Sequence, residues 1–284
     1  MSSTKEKLDL TVIIITYNEE KNIKKCIDSI KGFVKDIFVL DSDSSDTTQK
    51  ILIKNNIRFK SKKFFNYSNQ FNTAIKLANA KTTWLMRLDA DEVVEKNFFK
   101  LLKSKINKLH NNIDGVYINR RYIFFGKEIK NGGVFPHKTL RIWKNGKGKC
   151  NNELMDEKII TKSNQTFMNL NIIDDNKNPF YLWKIKHIRY AKFEAMKYLN
   201  RSKVIKKNDS IIENINFRRF KIYYNMPIFL RAVLLFLYRY IFKFGFLDGL
   251  AGLRYCFWQT LWFRLLVDIN IFKLKKNNKS KYRV

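Results

Sequence analysis

The stretch Trp84-Leu85-Met86-Arg87-Leu88-Asp89-Ala90-Asp91-Glu92 sets three carboxylates directly after an apolar run. Asp89 and Asp91, spaced i, i+2 at the end of a strand, point to one side and can meet a single hard cation together. A divalent ion held by one or two carboxylates completes its shell with water and substrate phosphates, which makes the segment a candidate nucleoside-diphosphate site. The competing reading is a strand followed by the acidic first turn of a helix, with Glu92 as the cap. Two further acids stand in similar places: Glu19 follows the apolar run at residues 10–16, and Asp41 follows the run at 37–40. Asp41 can accept a hydrogen bond from a base N–H, and Glu19 from a ribose or base. Each acid alone would serve equally well as a cap or a solvated loop residue; their convergence at one sheet edge favours a site.

The elements that must position them follow from hydrophobic periodicity. Residues 10–16 form a continuous β-branched run, the pattern of a strand buried on both faces. Ile23, Ile27 and Ile30 then recur at helical spacing, and Gly32 stops the helix. A strand at 37–41, a helix to about 55, a short strand near 57–59, a helix from about 68 and the strand at 84 complete four strand–helix alternations. That rhythm predicts a doubly wound α/β domain with its site along the carboxyl ends of the strands. Neither a Gly-x-Gly-x-x-Gly after the first strand nor a Gly-Lys-Ser/Thr is present, so side chains, not a glycine cradle, must hold the nucleotide.

Composition bounds the alternatives. The 284 residues, 45% hydrophobic and 15% aromatic, suffice for a full core and an appendage. A net charge of +31 attracts polyanions whatever the fold, but the abundance of Asn and Ile beside Lys marks part of it as a compositional habit. Cys26, Cys150 and Cys256 are far apart and in no Cys-x-x-Cys pair, which argues against a disulfide framework or a zinc knuckle. The apolar run near the N-terminus is too short for a signal peptide, so a cytosolic setting is expected.

Thr16-Tyr17-Asn18-Glu19, then Asp41-Ser42-Asp43-Ser44-Ser45-Asp46, then Leu88-Asp89-Ala90-Asp91-Glu92 resembles the ordered motif set of glycosyltransferase family 2, enzymes of the GT-A (Rossmann-like) fold. The resemblance covers residues 10–112 best. It implies transfer of a sugar, with inversion, from a nucleotide-diphosphate donor, commonly a UDP-sugar, assisted by Mg²⁺ or Mn²⁺. It would place Thr16, Tyr17, Glu19 and Asp41 in the nucleotide pocket, Asp89 by the ribose or metal, and Asp91 on the metal. Asp43 departs from the family's frequent Gly; Asp tolerates unusual backbone angles better than most residues.

A strand at 115–125, a glycine-bearing loop at 126–136 and a strand at 138–144 lead to Glu153-Leu154-Met155-Asp156-Glu157, which resembles the acidic motif the family sets beneath the acceptor. Inverting transfer needs a carboxylate opposite the leaving diphosphate to take the acceptor hydroxyl's proton. Asp156 is the first candidate for that base and Glu157 the second. The segment around Lys186 and His187 looks like one seen in polysaccharide-making members: Lys186 is assigned to the diphosphate and His187 to the metal, with Arg141 and Arg189 as alternative phosphate contacts. A satisfied structural histidine is the competing reading.

Residues 226–272 are dense in Leu, Phe, Tyr and Trp, but charges interrupt every run well short of the ~20 residues a spanning helix needs. The spacing predicts two amphipathic helices joined around 245–252, with Arg231, Arg239 and Lys243 on one polar stripe and Arg254, Arg264 and Asp268 on the other, cations at lipid headgroups. A helical subdomain packed on the core is the alternative. The expected organisation is a catalytic domain at 1–225 (nucleotide half about 8–112, acceptor half about 113–225) and a membrane-associating region with a basic tail at 226–284. The expected partners are a nucleotide-sugar donor, a lipid-linked or surface-polysaccharide acceptor and an anionic membrane surface at the cytoplasmic face of the plasma membrane, with no nucleic acid; the oligomeric state is open. The rival is a basic RNA- or anionic-lipid-binding protein with a non-catalytic α/β core, marked by salt-sensitive polyanion binding without donor turnover.

Overall fold

The β-branched run becomes strand β1 (Leu8–Thr16), and its side chains alternate between two cores. Val12 and Ile14 pack with Ile23, Ile27 and Met86 on one face, while Ile13 packs with Phe38, Leu40 and Phe71 on the other. Burial on both faces is why this strand reads as unbroken hydrophobicity. The computed structural model describes residues 6–152, 157–201 and 222–281. It divides into two compact units, Met1–Gly126 with Phe135–Asn178 and Lys127–Val134 with Pro179–Val284.

In the first unit, β1 is followed by α1 (Ile23–Ile30), β2 (Val34–Asp41), α2 (Thr48–Lys54), β3 (Arg58–Ser61), α3 (Tyr67–Ala78) and β4 (Trp84–Arg87). Strands β3, β2, β1 and β4 lie side by side in parallel, with Thr16 opposite Asp41 and Ile13 opposite Arg87. The chain leaves β1 to one side and returns as β4 on the other, so the strand order reverses at β1, the position beyond whose carboxyl end open α/β sheets bind ligands. Next come β5 (Glu92–Val94), α4 (Phe98–Ile106), β6 (Ile113–Phe124), β8 (His137–Lys144), the hairpin partners β9 (Gly148–Cys150) and β10 (Ile159–Thr161), and β11 (Asn164–Asp174); β7 (Lys127–Ile129) belongs to the second unit. The sheet continues from β4 through β8, β6 and β11 to β5. β8 runs antiparallel to both its neighbours and β5 antiparallel to β11, so the sheet is mixed. The α/β expectation holds.

One local expectation fails. Glu92 does not cap a helix: it opens strand β5, opposite Asp174, is 0% exposed, and α4 starts only at Phe98. Its burial is made tolerable by guanidiniums arriving from β6 and β8, as described below.

Among the described residues the second unit is helical beyond β7: α5 (Phe180–Arg201), α6 (Leu230–Leu237) running into a π-helical turn at Tyr238–Phe242, a 3-10 turn at Gly245–Asp248, α7 (Gly249–Cys256), and a second π-helical turn at Phe257–Trp262 that continues as α8 (Phe263–Lys281). The two helices expected to join around 245–252 are present. Glycine is required at the joint, because a Cβ on Gly252 would lie 2.1 Å from the Gly245 carbonyl oxygen. Four of the six charges expected on headgroup-facing stripes, however, are paired within the unit. Arg231 is 1% and Asp268 0% exposed; they pair with each other, Nε to Oδ1 at 2.9 Å, and Asp268 also accepts the Phe229 N–H. Arg264 pairs with Glu194, and Arg239 Nε donates to the Gly132 carbonyl at 2.8 Å. These four charges met partners on other segments of the unit that sequence spacing cannot reveal, whereas Lys243 and Arg254 are exposed. Apolar side chains remain outside, including Phe242, Leu247, Leu250 and Phe272. No helix among the described residues is long and apolar enough to cross a membrane.

Candidate active site

The first two motifs are laced together at the carboxyl ends of β1 and β2. Ser42 N–H donates to the Thr16 carbonyl, Asn18 N–H to Ser44 Oγ, Ser45 N–H to Asn18 Oδ1, and Glu19 N–H to Thr48 Oγ1. Asn18 and Asp43 both have positive φ, 53° and 59°. The Asp at the position where the family often carries Gly therefore adopts the left-handed backbone that explains the Gly preference. Asp41 is fully buried and accepts from the Ser44 N–H (2.8 Å), Ser44 Oγ (2.6 Å) and Gln49 Nε2 (2.7 Å). Three of its roughly four lone-pair positions are thus spent on shaping the turn. Thr16 Oγ1 is buried without a hydrogen-bond partner, and Tyr17 is 58% exposed beside it in sequence.

The third motif sits in a buried ionic cluster. Asp89 Oδ1 accepts from Arg87 Nε at 3.0 Å and Oδ2 from Arg141 Nη2 at 3.2 Å; Arg141 also reaches Glu92 at 2.6 Å. Arg120 binds Glu92 (2.8 Å) and Asp174 (2.7 Å). Arg87 extends the chain to the Glu157 carboxylate at 3.1 Å, with its guanidinium 5.0 Å from the Phe71 ring centroid. Glu157, the second base candidate, is therefore joined to Asp89 through one guanidinium. Asp156, the first, lies outside the described residues.

Burial opposes the Asp89 charge, but Arg141, Arg87 and Arg120 override it and hold its carboxyl well below the usual range. Burial wins at Glu92, whose pKa is raised, and pushes Asp174 up to about 7, against the pull of Arg120 and with help from Asp91, Glu92 and Asp89. Three guanidiniums face five carboxylates here: Asp89, Asp91, Glu92, Asp174 and Glu157. That surplus of negative charge fits a divalent cation. Asp91 offers the least committed oxygens, since its only side-chain hydrogen bond among the described residues comes from Asn176 Nδ2 to Oδ2 at 2.8 Å. Asp89 has both oxygens committed to guanidiniums. No group of three or more His, Cys, Asp or Glu among the described residues forms a metal cage by itself. Arg141, an alternative phosphate contact in the sequence reading, is 3% exposed and bound to Asp89 and Glu92, although its Nε and Nη1 have no partner.

Lys186 and His187 belong to the second unit, on α5. His187 Nδ1 donates to the Trp183 carbonyl at 2.8 Å, the ring stacks on Trp183 at 3.6 Å between centroids, and burial lowers its pKa to about 4. It is a neutral imidazole at physiological pH and cannot supply positive charge, and its Nε2 accepts from Gln259 Nε2 at 3.4 Å. Lys186 Nζ lies 5.7 Å from the Tyr190 ring centroid.

Sequence reasoning missed Arg87, Arg120 and Asp174, and gave Glu92 the wrong role. The available signal was charged residues inside otherwise apolar strands: Arg87 in β4, Arg120 in β6 and Arg141 in β8. A lone charge in such a place requires a partner.

An α/β core with acids at its strand ends agrees with the family relationship. The chain belongs to glycosyl transferase family 2, whose model matches residues 11–169. It is 38% identical over 96 residues to the SPbeta prophage-derived glycosyltransferase SunS of Bacillus subtilis, covering 32% of this chain and 22% of that protein. It is 29% identical over 164 residues to the lipopolysaccharide core biosynthesis glycosyltransferase LpsC of Rhizobium meliloti, covering 56% of this chain and 59% of that one. The chain thus spans less than two thirds of either relative's length. Among solved structures, glucosyl-3-phosphoglycerate synthase from Mycobacterium tuberculosis in complex with Mn²⁺, UDP and glucosyl-3-phosphoglycerate matches with a TM-score of 0.34 and 21% identity, over 43% of this chain and 46% of that one.

Proposed function

We propose that this chain is an inverting glycosyltransferase that moves a sugar from a nucleotide-diphosphate donor, a UDP-sugar in this reading, to a lipid-linked or surface-polysaccharide acceptor. The observation that carries the proposal is the carboxylate surplus at the ends of β4, β5 and β11, next to the turns that close β1 and β2. Thr16, Tyr17, Glu19 and Asp41 are assigned to the nucleoside. Thr16 supports this with its partnerless buried hydroxyl; Asp41 acts chiefly by holding the turn's shape, with one lone-pair position left for a base N–H. Asp91 is assigned as the metal ligand, and Asp89 as the residue that fixes Arg87 and Arg141 behind it. A bound Mg²⁺ or Mn²⁺ would neutralise the diphosphate as it leaves.

The proton of the acceptor hydroxyl goes to Asp156 or Glu157. Glu157's contact with Arg87 holds its carboxylate in place. Lys186 and His187 keep the diphosphate and metal roles on the family resemblance alone; for His187 a neutral ligand fits its lowered pKa better than a cation. The exposed apolar side chains of the second unit and the basic C-terminal residues support peripheral attachment to an anionic cytoplasmic membrane surface. The relationship to a lipopolysaccharide core enzyme supports a glycolipid acceptor.

The test is release of nucleoside diphosphate from a panel of sugar nucleotides with Mg²⁺ or Mn²⁺. Turnover that survives both Asp91→Asn and EDTA would remove the metal assignment. Asp156→Asn and Glu157→Gln identify the base: one of them should lose turnover while retaining donor binding. For the membrane assignment, the full chain should sediment with anionic liposomes, and Phe242→Ser/Leu247→Ser should weaken that sedimentation severalfold.

A further inference from the structure

The turn after β11 joins two of the motifs through side-chain amides whose orientation can be read from backbone donors. The amide faces of Asn are indistinguishable by shape, so the hydrogen-bond network must assign them. Asn176 Oδ1 accepts the N–H of Asn178 at 2.8 Å; a backbone N–H can only donate, so the Asn176 Nδ2 group is the one facing Asp91 Oδ2 at 2.8 Å. Asn22 Oδ1 likewise accepts the N–H of Lys177 at 2.8 Å, which turns its Nδ2 toward Glu19 Oε2 at 2.6 Å. Asn178 Nδ2 adds a second donor to the same Glu19 oxygen at 3.0 Å. A backbone tie completes the turn, with Asp175 N–H donating to the Asp91 carbonyl at 3.1 Å. Two consecutive N–H groups thus aim two amides at carboxylates 72 residues apart in sequence, Glu19 and Asp91.

The choice of amide is chemically specific. A Lys or Arg would orient Asp91 more strongly, but its charge would compete with a cation for the same carboxylate. A neutral donor holds Oδ2 in place and leaves Oδ1 available. Asp89, held by two guanidiniums, has neither property. We propose that Asn176 is a positioning residue that orients Asp91 toward the divalent cation, itself oriented by the N–H of Asn178. This rests on the reading of Asp91 as a metal ligand, and the experiment separates the two.

Mn²⁺ binding is measured on the 284-residue chain by the electron paramagnetic resonance signal of free Mn²⁺, with UDP present, for the wild type, Asp91→Asn and Asn176→Ala. Residues that orient a metal ligand typically alter affinity by about 10–100-fold, and a single exposed amide belongs at the low end, about tenfold. The expected result is abolished binding in Asp91→Asn, about tenfold weaker binding in Asn176→Ala, and unchanged binding in Lys177→Ala, which disturbs the same turn while keeping its N–H groups. A purely structural role would lower the unfolding midpoint of Asn176→Ala and leave its Mn²⁺ affinity alone. Binding lost in Asp91→Asn but intact in Asn176→Ala overturns the positioning role. Binding intact in Asp91→Asn overturns the metal reading first, and this inference with it.

Discussion

Both units bury guanidinium–carboxylate pairs, but they balance charge differently. In the second unit the match is one to one: Arg231 with Asp268, Arg264 with Glu194. In the first, Arg87, Arg120 and Arg141 are shared among a larger set of acids, and one of them, Asp174, is pushed up to about 7. A balanced pair is self-sufficient and reads as structure. An unbalanced cluster is electrostatically incomplete, which is what the proposed cation would complete. The contrast also separates the C-terminal charges, which the sequence alone would send to lipid headgroups, from the motif acids.

Removing one partner of a balanced buried pair should give the largest effect, since it strands a desolvated charge. Arg231→Ala should cost about 3–5 kcal/mol in urea unfolding, and Arg231→Met combined with Asp268→Leu should recover most of it. Turnover per folded molecule should change little in the double variant. If the double variant is as unstable as the single one, the pair has a role beyond mutual neutralisation.

The next effect belongs to the unbalanced cluster and has the opposite character. Asp91→Asn should reduce metal-dependent turnover by at least ~100-fold, equivalent to about 2.7 kcal/mol in the transition state. Its unfolding midpoint without metal should stay the same or rise, because one of several crowded carboxylates is gone. A fall of several degrees would mean that Asp91 serves the fold, and the two regions would no longer differ in kind.

The sequence reading captured what is local. The strand at β1, the helix on Ile23, Ile27 and Ile30, and the alternation through β4 follow from side-chain periodicity within a few residues. The acids of the three motifs sit at strand ends because parallel strands deliver their carboxyl ends to one edge. What spacing could not show is pairing across distance. Glu92 is neutralised from β6 and β8, which begin 21 and 45 residues later, so a residue that looks like a helix cap becomes a buried anchor. Arg231 and Asp268 were legible as charges interrupting an apolar run, but not as partners. Asn176 was invisible, since a single Asn in a polar turn carries no periodic signal.

The smallest effect tests the imbalance itself. Asp174 has its pKa raised from the ordinary 3.8 to about 7, so between these values the folded protein holds a proton that the unfolded chain has released. Its contribution to stability is fully present below about pH 4 and is lost as pH rises through 7. Without metal, the wild-type midpoint should therefore decline relative to Asp174→Asn between pH 5 and pH 8. A difference of about 2–4 °C, the size of ~1 kcal/mol in a chain of this length, is expected; the side chain is 17% exposed, which reduces the effect below that of full charge burial. Saturating Mn²⁺ should shrink the difference, because the ion supplies the positive charge the cluster lacks. His187 acts in the other direction and in another window: its pKa is lowered to about 4, so its contribution is present above pH 6.5 and is lost as pH falls toward 4. His187 is present in both proteins and cancels from their difference. Parallel wild-type and Asp174→Asn profiles between pH 5 and pH 8 would show the cluster to be as balanced as the pairs of the second unit.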